Sequence, residues 1–172
     1  MKKILPIIFC SILLFGCTKK TTTTKKATPA PIRTFELQEA DKPDVKLTSR
    51  EDGHMLYLKI DKIPNFIASI EYELLYNASE EGMEIEKGLG DTLKIEGTSL
   101  SRDLLLGTES CTSGCKYKYD EGITGGTLNL TLITKDGQSA LIEKTFTLKK
   151  DTKTKKFIVT FSDVVPPTNT TE

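Results

Sequence analysis

Thr127-Leu128-Asn129-Leu130-Thr131-Leu132-Ile133-Thr134-Lys135-Asp136-Gly137-Gln138-Ser139-Ala140-Leu141-Ile142-Glu143-Lys144-Thr145-Phe146-Thr147-Leu148 reads as two extended runs on either side of a turn. Leu128, Leu130 and Leu132 alternate with Thr127, Asn129 and Thr131, the period of a strand with one face on a core and one in water. Asp136-Gly137 accepts the positive φ angles of a type I′ turn, so the stretch is expected to form a tight antiparallel hairpin.

The same period recurs upstream. Leu56, Leu58 and Ile60 follow His54 at alternate positions, and Ala68, Ile70, Tyr72, Leu74 and Tyr76 form a second apolar face. Pro64-Asn65 marks a turn between these runs, which puts them on neighbouring or facing strands. Phe157 to Phe161 extends the pattern after the polar stretch Lys150 to Lys155, and shorter candidates lie at 35–37, 45–48, 83–86, 92–96, 102–106 and 116–119. Between the two ends of the chain no segment keeps a 3.6-residue period over three turns, so the fold class expected is all-β.

Short strands with turn signals every 8 to 12 residues resemble the architecture of an immunoglobulin- or fibronectin-III-like domain, which implies a single antiparallel β-sandwich. A small closed barrel is the alternative. The chain has no Trp, so an antibody-type Cys…Trp…Cys core is excluded.

The N-terminus has a different character. Lys2 and Lys3 precede twelve largely apolar residues, Ile4 to Phe15, and the chain turns polar at Thr18-Lys19-Lys20. Twelve residues make about 18 Å of helix, short of the roughly 30 Å a membrane span needs. The layout is that of an export signal. Leu14-Phe15-Gly16-Cys17 resembles the lipobox of bacterial lipoproteins, with Phe15 bulkier than usual there. The resemblance implies cleavage before Cys17, a lipidated Cys17 as the mature N-terminus, membrane lipid as a partner through that cysteine, and a domain held outside the cytoplasm in a bacterial envelope. Several acyl chains, at about 0.8 kcal/mol per buried methylene, anchor firmly where one does not.

The organisation expected is a signal peptide at 1–16, a lipidated Cys17 with a Thr/Lys/Pro tether to residue 33, a domain at 34–164 and a polar tail at 165–172. The tether segment TKKTTTTKKATPAPIR lacks the apolar side chains to fold and reaches about 50 Å when extended. The whole chain balances 24 basic against 24 acidic residues, but residues 1–33 hold seven bases and no acid, leaving the rest at −7. That sign disfavours nucleic acid, whose affinity comes largely from Lys and Arg on phosphates.

If Cys10 leaves with the signal and Cys17 carries lipid, Cys111 and Cys115 remain as an even pair in an oxidising compartment, where a structural disulfide is expected. A redox pair usually has two intervening residues and here there are three; a zinc site needs further ligands and the chain has one His, His54. His54 reads as a strand-end residue. Ser113-Gly114-Cys115-Lys116 formally matches S-x-x-K, but that chemistry needs a helical turn between Ser and Lys. Glu80 to Glu86 is acidic without the spacing of a calcium loop.

No cofactor or metal is expected. The function expected is a non-catalytic binding, assembly or accessory module of the envelope with a protein or glycan partner. The rivals are a hydrolase using scattered carboxylates such as Asp103, Glu109, Asp120 and Glu121, and a passive surface spacer.

Overall fold

The computed structural model describes residues 33–163; the signal segment, Cys17, the tether up to residue 32 and the tail from residue 164 lie outside the described residues. The described residues are all-β, their one helical element being a 3-10 turn at Glu39–Asp41. The strands are β1 (Arg33–Thr34), β2 (Asp44–Ser49), β3 (Met55–Asp61), β4 (Ile67–Glu80), β5 (Met83–Lys94), β6 (Leu100–Leu105), β7 (Gly107–Ser110), β8 (Lys116–Tyr119), β9 (Gly125–Thr134), β10 (Gln138–Lys150) and β11 (Phe157–Asp163). Arg33, expected at the end of the tether, already pairs with Gln138.

Three sheets result. The largest runs β5-β4-β9-β10, with β1 and β11 sharing the free edge of β10; a second runs β2-β3-β6; β7 and β8 form a two-stranded ribbon. The expectation of a purely antiparallel arrangement is corrected at one place. β1 pairs with β10 in parallel, so the large sheet is mixed. Both larger sheets bury their apolar faces in one core. Leu56, Leu58 and Ile60 of β3, Leu104 of β6, Ile70 and Leu74 of β4 and Leu128, Leu130 and Leu132 of β9 are essentially inaccessible to water. Alternation is the cause. From Ile70 to Ala78 of β4 and along β9 every second residue points inward, and neighbouring strands pair inward residue with inward residue, as in Ile70–Leu132 and Tyr72–Leu130.

The turn at Asp136-Gly137 differs from the expected one. Among residues 134–138 only Gly137 has positive φ, at 80°, and its N–H donates to Thr134 O at 3.1 Å. This is a three-residue loop with a single left-handed glycine, and the Asp136 carboxylate accepts from Thr134 Oγ1 and Gln138 Nε2 across it. The two-residue turn with both φ values positive sits elsewhere, at Glu81 (52°) and Gly82 (80°), between β4 and β5.

The run at 83–86 and the first three residues of the run at 92–96 merge into one strand, β5, which ends at Lys94. Gly88 and Gly90 do not break it, because β4 pairs with it along its whole length.

Candidate functional site

The two ends of the large sheet differ. At one end the chain enters through Arg33 beside Gln138, the first residue of β10. At the other, Gly125 opens β9 opposite Thr147, nine residues along β10 and so about 30 Å away. The stretch 106–124 emerges at this far end and carries β7, β8 and the disulfide.

Its base is clamped to both larger sheets. Leu106, fully buried, donates its N–H to His54 O at 3.0 Å, and Asp120 N–H donates to Leu106 O at 3.0 Å. Ser79 N–H at the end of β4 donates to Glu121 O at 2.7 Å. Beyond that base the ribbon stands in solvent, with residues 108–118 all exposed.

Cys111 and Cys115 form the disulfide at its tip, with Cα atoms 4.1 Å apart. Glu109 Oε lies close enough to both sulfurs that the three groups fall within 4.8 Å of one another. The two sulfurs are bonded to each other, so neither is a thiolate available to hold a metal. The bond closes a five-residue ring, for which chain entropy gives about 2 kcal/mol. Because no residue of β7 or β8 belongs to the buried core cluster, the variant Cys111→Ser, Cys115→Ser is expected to melt cooperatively, only several degrees below the parent. Loss of the cooperative transition in calorimetry is the opposite result.

Lys116-Tyr117-Lys118-Tyr119 alternates along β8 and so puts both tyrosines on one face. The ring of Tyr119 stacks on His54 at 4.1 Å with 10° between planes, and Tyr117 follows at 6.1 Å and 8°. The Arg50 guanidinium lies 5.7 Å from the Tyr119 ring centre and its Nε donates to Asp52 at 2.8 Å. Asp52 also accepts from His54 N–H at 3.0 Å. The Arg50 contact holds the Asp52 carboxyl below the usual range, while Asp52 and Tyr119 raise Arg50. Tyr117 is the open end of this ladder, 49% exposed, and its hydrogen bond to Glu109 pushes the phenol up.

Beneath the ladder lies a polar cluster. Asp120, its side chain 5% exposed, accepts from Tyr76 Oη at 2.8 Å and from Lys87 Nζ at 2.5 Å. Burial, reinforced by Asp120, pushes the Tyr76 phenol far up. Glu80 closes the rim with Lys118 at 3.0 Å and Lys87 at 4.0 Å, and Lys118 holds its carboxyl below the usual range.

These positions redistribute the sequence candidates. His54 is a stacking platform for Tyr119. Of the four scattered carboxylates, Asp120 has both oxygens engaged by Tyr76 and Lys87, and with Glu121 it lines two open clefts, one shared with Glu80, Lys87 and Lys118 and the other with Asp52, His54 and Phe157. Asp103, opposite Tyr57 on the outer side of β6, and Glu109 on the ribbon line neither cleft. In the acidic stretch, Glu80 is held by Lys118 and Glu84 accepts from Asn77. Ser113 and Lys116 lie on the disulfide loop and its exit, not on a helix. Cys17 lies outside the described residues. Sequence reading singled out neither the tyrosine ladder nor the partners of Asp120. The alternation of 116–119 carried the first signal, whereas Tyr76 and Lys87 reach Asp120 from 44 and 33 residues away.

Compared with protein-family models, with curated proteins and with solved structures, the chain matches none.

Proposed function

We propose that this chain is a lipid-anchored protein of a bacterial envelope, that its domain is a Greek-key β-sandwich of the immunoglobulin or fibronectin-III kind, and that it acts as a non-catalytic binding module. Strand order supports the architecture. β2, β3 and β6 take the places of strands A, B and E, and β4, β9 and β10 those of C, F and G, with β5 added beside C. The links from β3 to β4, from β5 to β6 and from β6 to β9 each pass from one sheet to the other, as Greek-key connections do.

The observation that carries the functional reading is the opposition of the two ends. The segment bearing the lipobox-like residues joins the domain at Arg33, and the stapled, aromatic-faced ribbon projects about 30 Å away at the other end. A tether on one side leaves that tip free for a partner. A rigid loop with preset aromatic faces loses little entropy on binding, and tyrosines give large contact area with few rotors. Asp120, Glu80 and Asp52 at this end are paired with Lys87, Lys118 and Arg50, which suits contact better than proton transfer.

The anchoring half is tested by Cys17→Ser. The variant is expected to leave the membrane fraction while remaining folded. Equal retention of variant and parent after carbonate washing is the opposite result. The binding half is tested by capture from solubilised envelopes with the parent chain and with Tyr117→Ala, Tyr119→Ala as bait. A partner held equally by both removes the tip from the reading.

A further inference from the structure

β5 ends the large sheet, and among the described residues it pairs only with β4. Its backbone polarity follows from the turn before it. In a two-residue turn the flanking pair, here Glu80–Met83, is hydrogen-bonded, and bonding then alternates along the hairpin. Ile85, Lys87, Leu89, Asp91 and Leu93 therefore turn their N–H and C=O toward β4. The alternation holds to the end of the strand, where Ile95 N–H donates to Ala68 O at 3.0 Å. Glu84, Glu86, Gly88, Gly90, Thr92 and Lys94 turn theirs outward. Of these outward amides Thr92 N–H has a side-chain acceptor, Asp91 Oδ1 at 2.8 Å. A strand of twelve residues without Pro, presenting such a row, is a template for another strand.

The sequence of β5 says which strand fits. We propose that β5 pairs antiparallel with β5 of a second copy of this chain, Leu89 opposite Leu89 on the two-fold axis, joining the two large sheets into one. In that register Glu84 faces Lys94, Ile85 faces Leu93, Glu86 faces Thr92, Lys87 faces Asp91 and Gly88 faces Gly90, and symmetry repeats every pair. Opposite charges meet at Glu84–Lys94, apolar residues meet at Ile85–Leu93, and no like charges oppose each other, while Lys87 and Asp91 keep Asp120 and Arg102 as partners within each copy. Moving the register by two residues one way sets Ile85 against Asp91 and Lys87 against Leu89. Moving it two the other way sets Leu89 against Asp91 and Lys87 against Leu93. A shift of one residue turns the inner faces of the two sheets to opposite sides. The half-buried Ile85, Leu89 and Leu93, which edge the core, gain cover from their symmetry mates. Gly88 and Gly90 on the opposite face carry no side chains to obstruct the approach across the axis.

A two-fold pairing of this kind is closed, so it stops at a dimer. The copies run in opposite directions, which sends their disulfide tips to opposite ends of the joined sheet. The inference does not rest on lipid at Cys17. It holds for an anchored or a free chain.

The test is made on the full chain in mild detergent. Leu89 faces its mate at a non-hydrogen-bonded position, where Cα atoms come within about 4.5 Å, inside the range a disulfide spans. Leu89→Cys is expected to give a covalent dimer on mild oxidation. With Cys10 and Cys17 replaced by Ser in every chain tested, so that the introduced thiol is the one free thiol, Leu141→Cys, 61% exposed on the outer face of β10, and the chain without an added cysteine are expected to give none. Lys94→Glu places Glu opposite Glu84 twice in the dimer and is expected to weaken association about tenfold. Adding Glu84→Lys restores the pairing with its signs exchanged and is expected to recover it. Sedimentation as a monomer at about 100 μM, where an association of even that weak Kd is visible, overturns the proposal. So does equal crosslinking at positions 89 and 141, or a charge reversal that Glu84→Lys does not rescue.

Discussion

Lys87→Met is expected to destabilise the domain by about 3 kcal/mol, the low end of the range for removing one partner of a buried ion pair. The low end applies because the Lys87 side chain keeps 25% exposure, so some water reaches the pair. The cost falls on Asp120, which at 5% exposure keeps Tyr76 Oη as a donor and loses the cation that neutralises it. A carboxylate that can neither hydrate nor pair either takes up a proton or leaves its site. Leaving means peeling away the segment that holds the base of the ribbon, since Asp120 N–H is bonded to Leu106 O. Adding Asp120→Asn removes the stranded charge and keeps an acceptor for Tyr76, so Lys87→Met, Asp120→Asn is expected to recover all but about 1 kcal/mol. Urea midpoints at unchanged slope measure both differences. A loss below about 0.5 kcal/mol for Lys87→Met would class the contact with ordinary surface ion pairs and leave the ribbon held by backbone alone.

What sequence reading reaches and what it misses divide along a physical line. Side-chain period is local, so the strands built on Leu56 to Ile60, Ile70 to Tyr76 and Leu128 to Leu132 were legible from alternation. Which strands share a sheet is not local. Pro64-Asn65 signalled a reversal between β3 and β4, and only tertiary packing decides that these strands join different sheets instead of pairing edge to edge. Alternation marked 83–86 and 92–96 as separate short runs, whereas twelve cross-strand pairs with β4 make one strand of the span Met83–Lys94. Asp136-Gly137 was legible as a turn but not as its type. Its type depends on where Thr134 and Gln138 end their pairing. At the candidate site, the closeness of Cys111 and Cys115 was legible. The setting of Asp120 was not, because a carboxylate in sequence looks the same whether it is solvated or buried against Tyr76 and Lys87.

Gly126→Ala is expected to cost about 3 to 4 kcal/mol, among the largest effects for a single methyl group. β9 runs between β4 and β10, and Gly126 lies opposite Tyr76 on one side and Phe146 on the other. A Cβ there would sit 2.0 Å from the backbone oxygen of Leu75 and 2.9 Å from Phe146 Cε1. Phe146 can turn aside, but Leu75 O belongs to the strand. Relief requires β4 and β9 to separate at the very end where the 106–124 stretch rejoins the sheet, and the adjoining Leu74–Leu128 pair lies in the core. The effect is therefore expected twice over. Denaturant midpoints fall, and amide exchange quickens in β9 near Gly126 and at Ser79, whose N–H bonds the rejoining segment through Glu121 O. Gly97→Ala is the control, since a Cβ there meets nothing within 4 Å, and it is expected to change stability by no more than about 0.5 kcal/mol. Were the two variants equally stable, the β4–β9 register at this end, and with it the placement of the stapled ribbon opposite the point where the chain enters, would have to be redrawn.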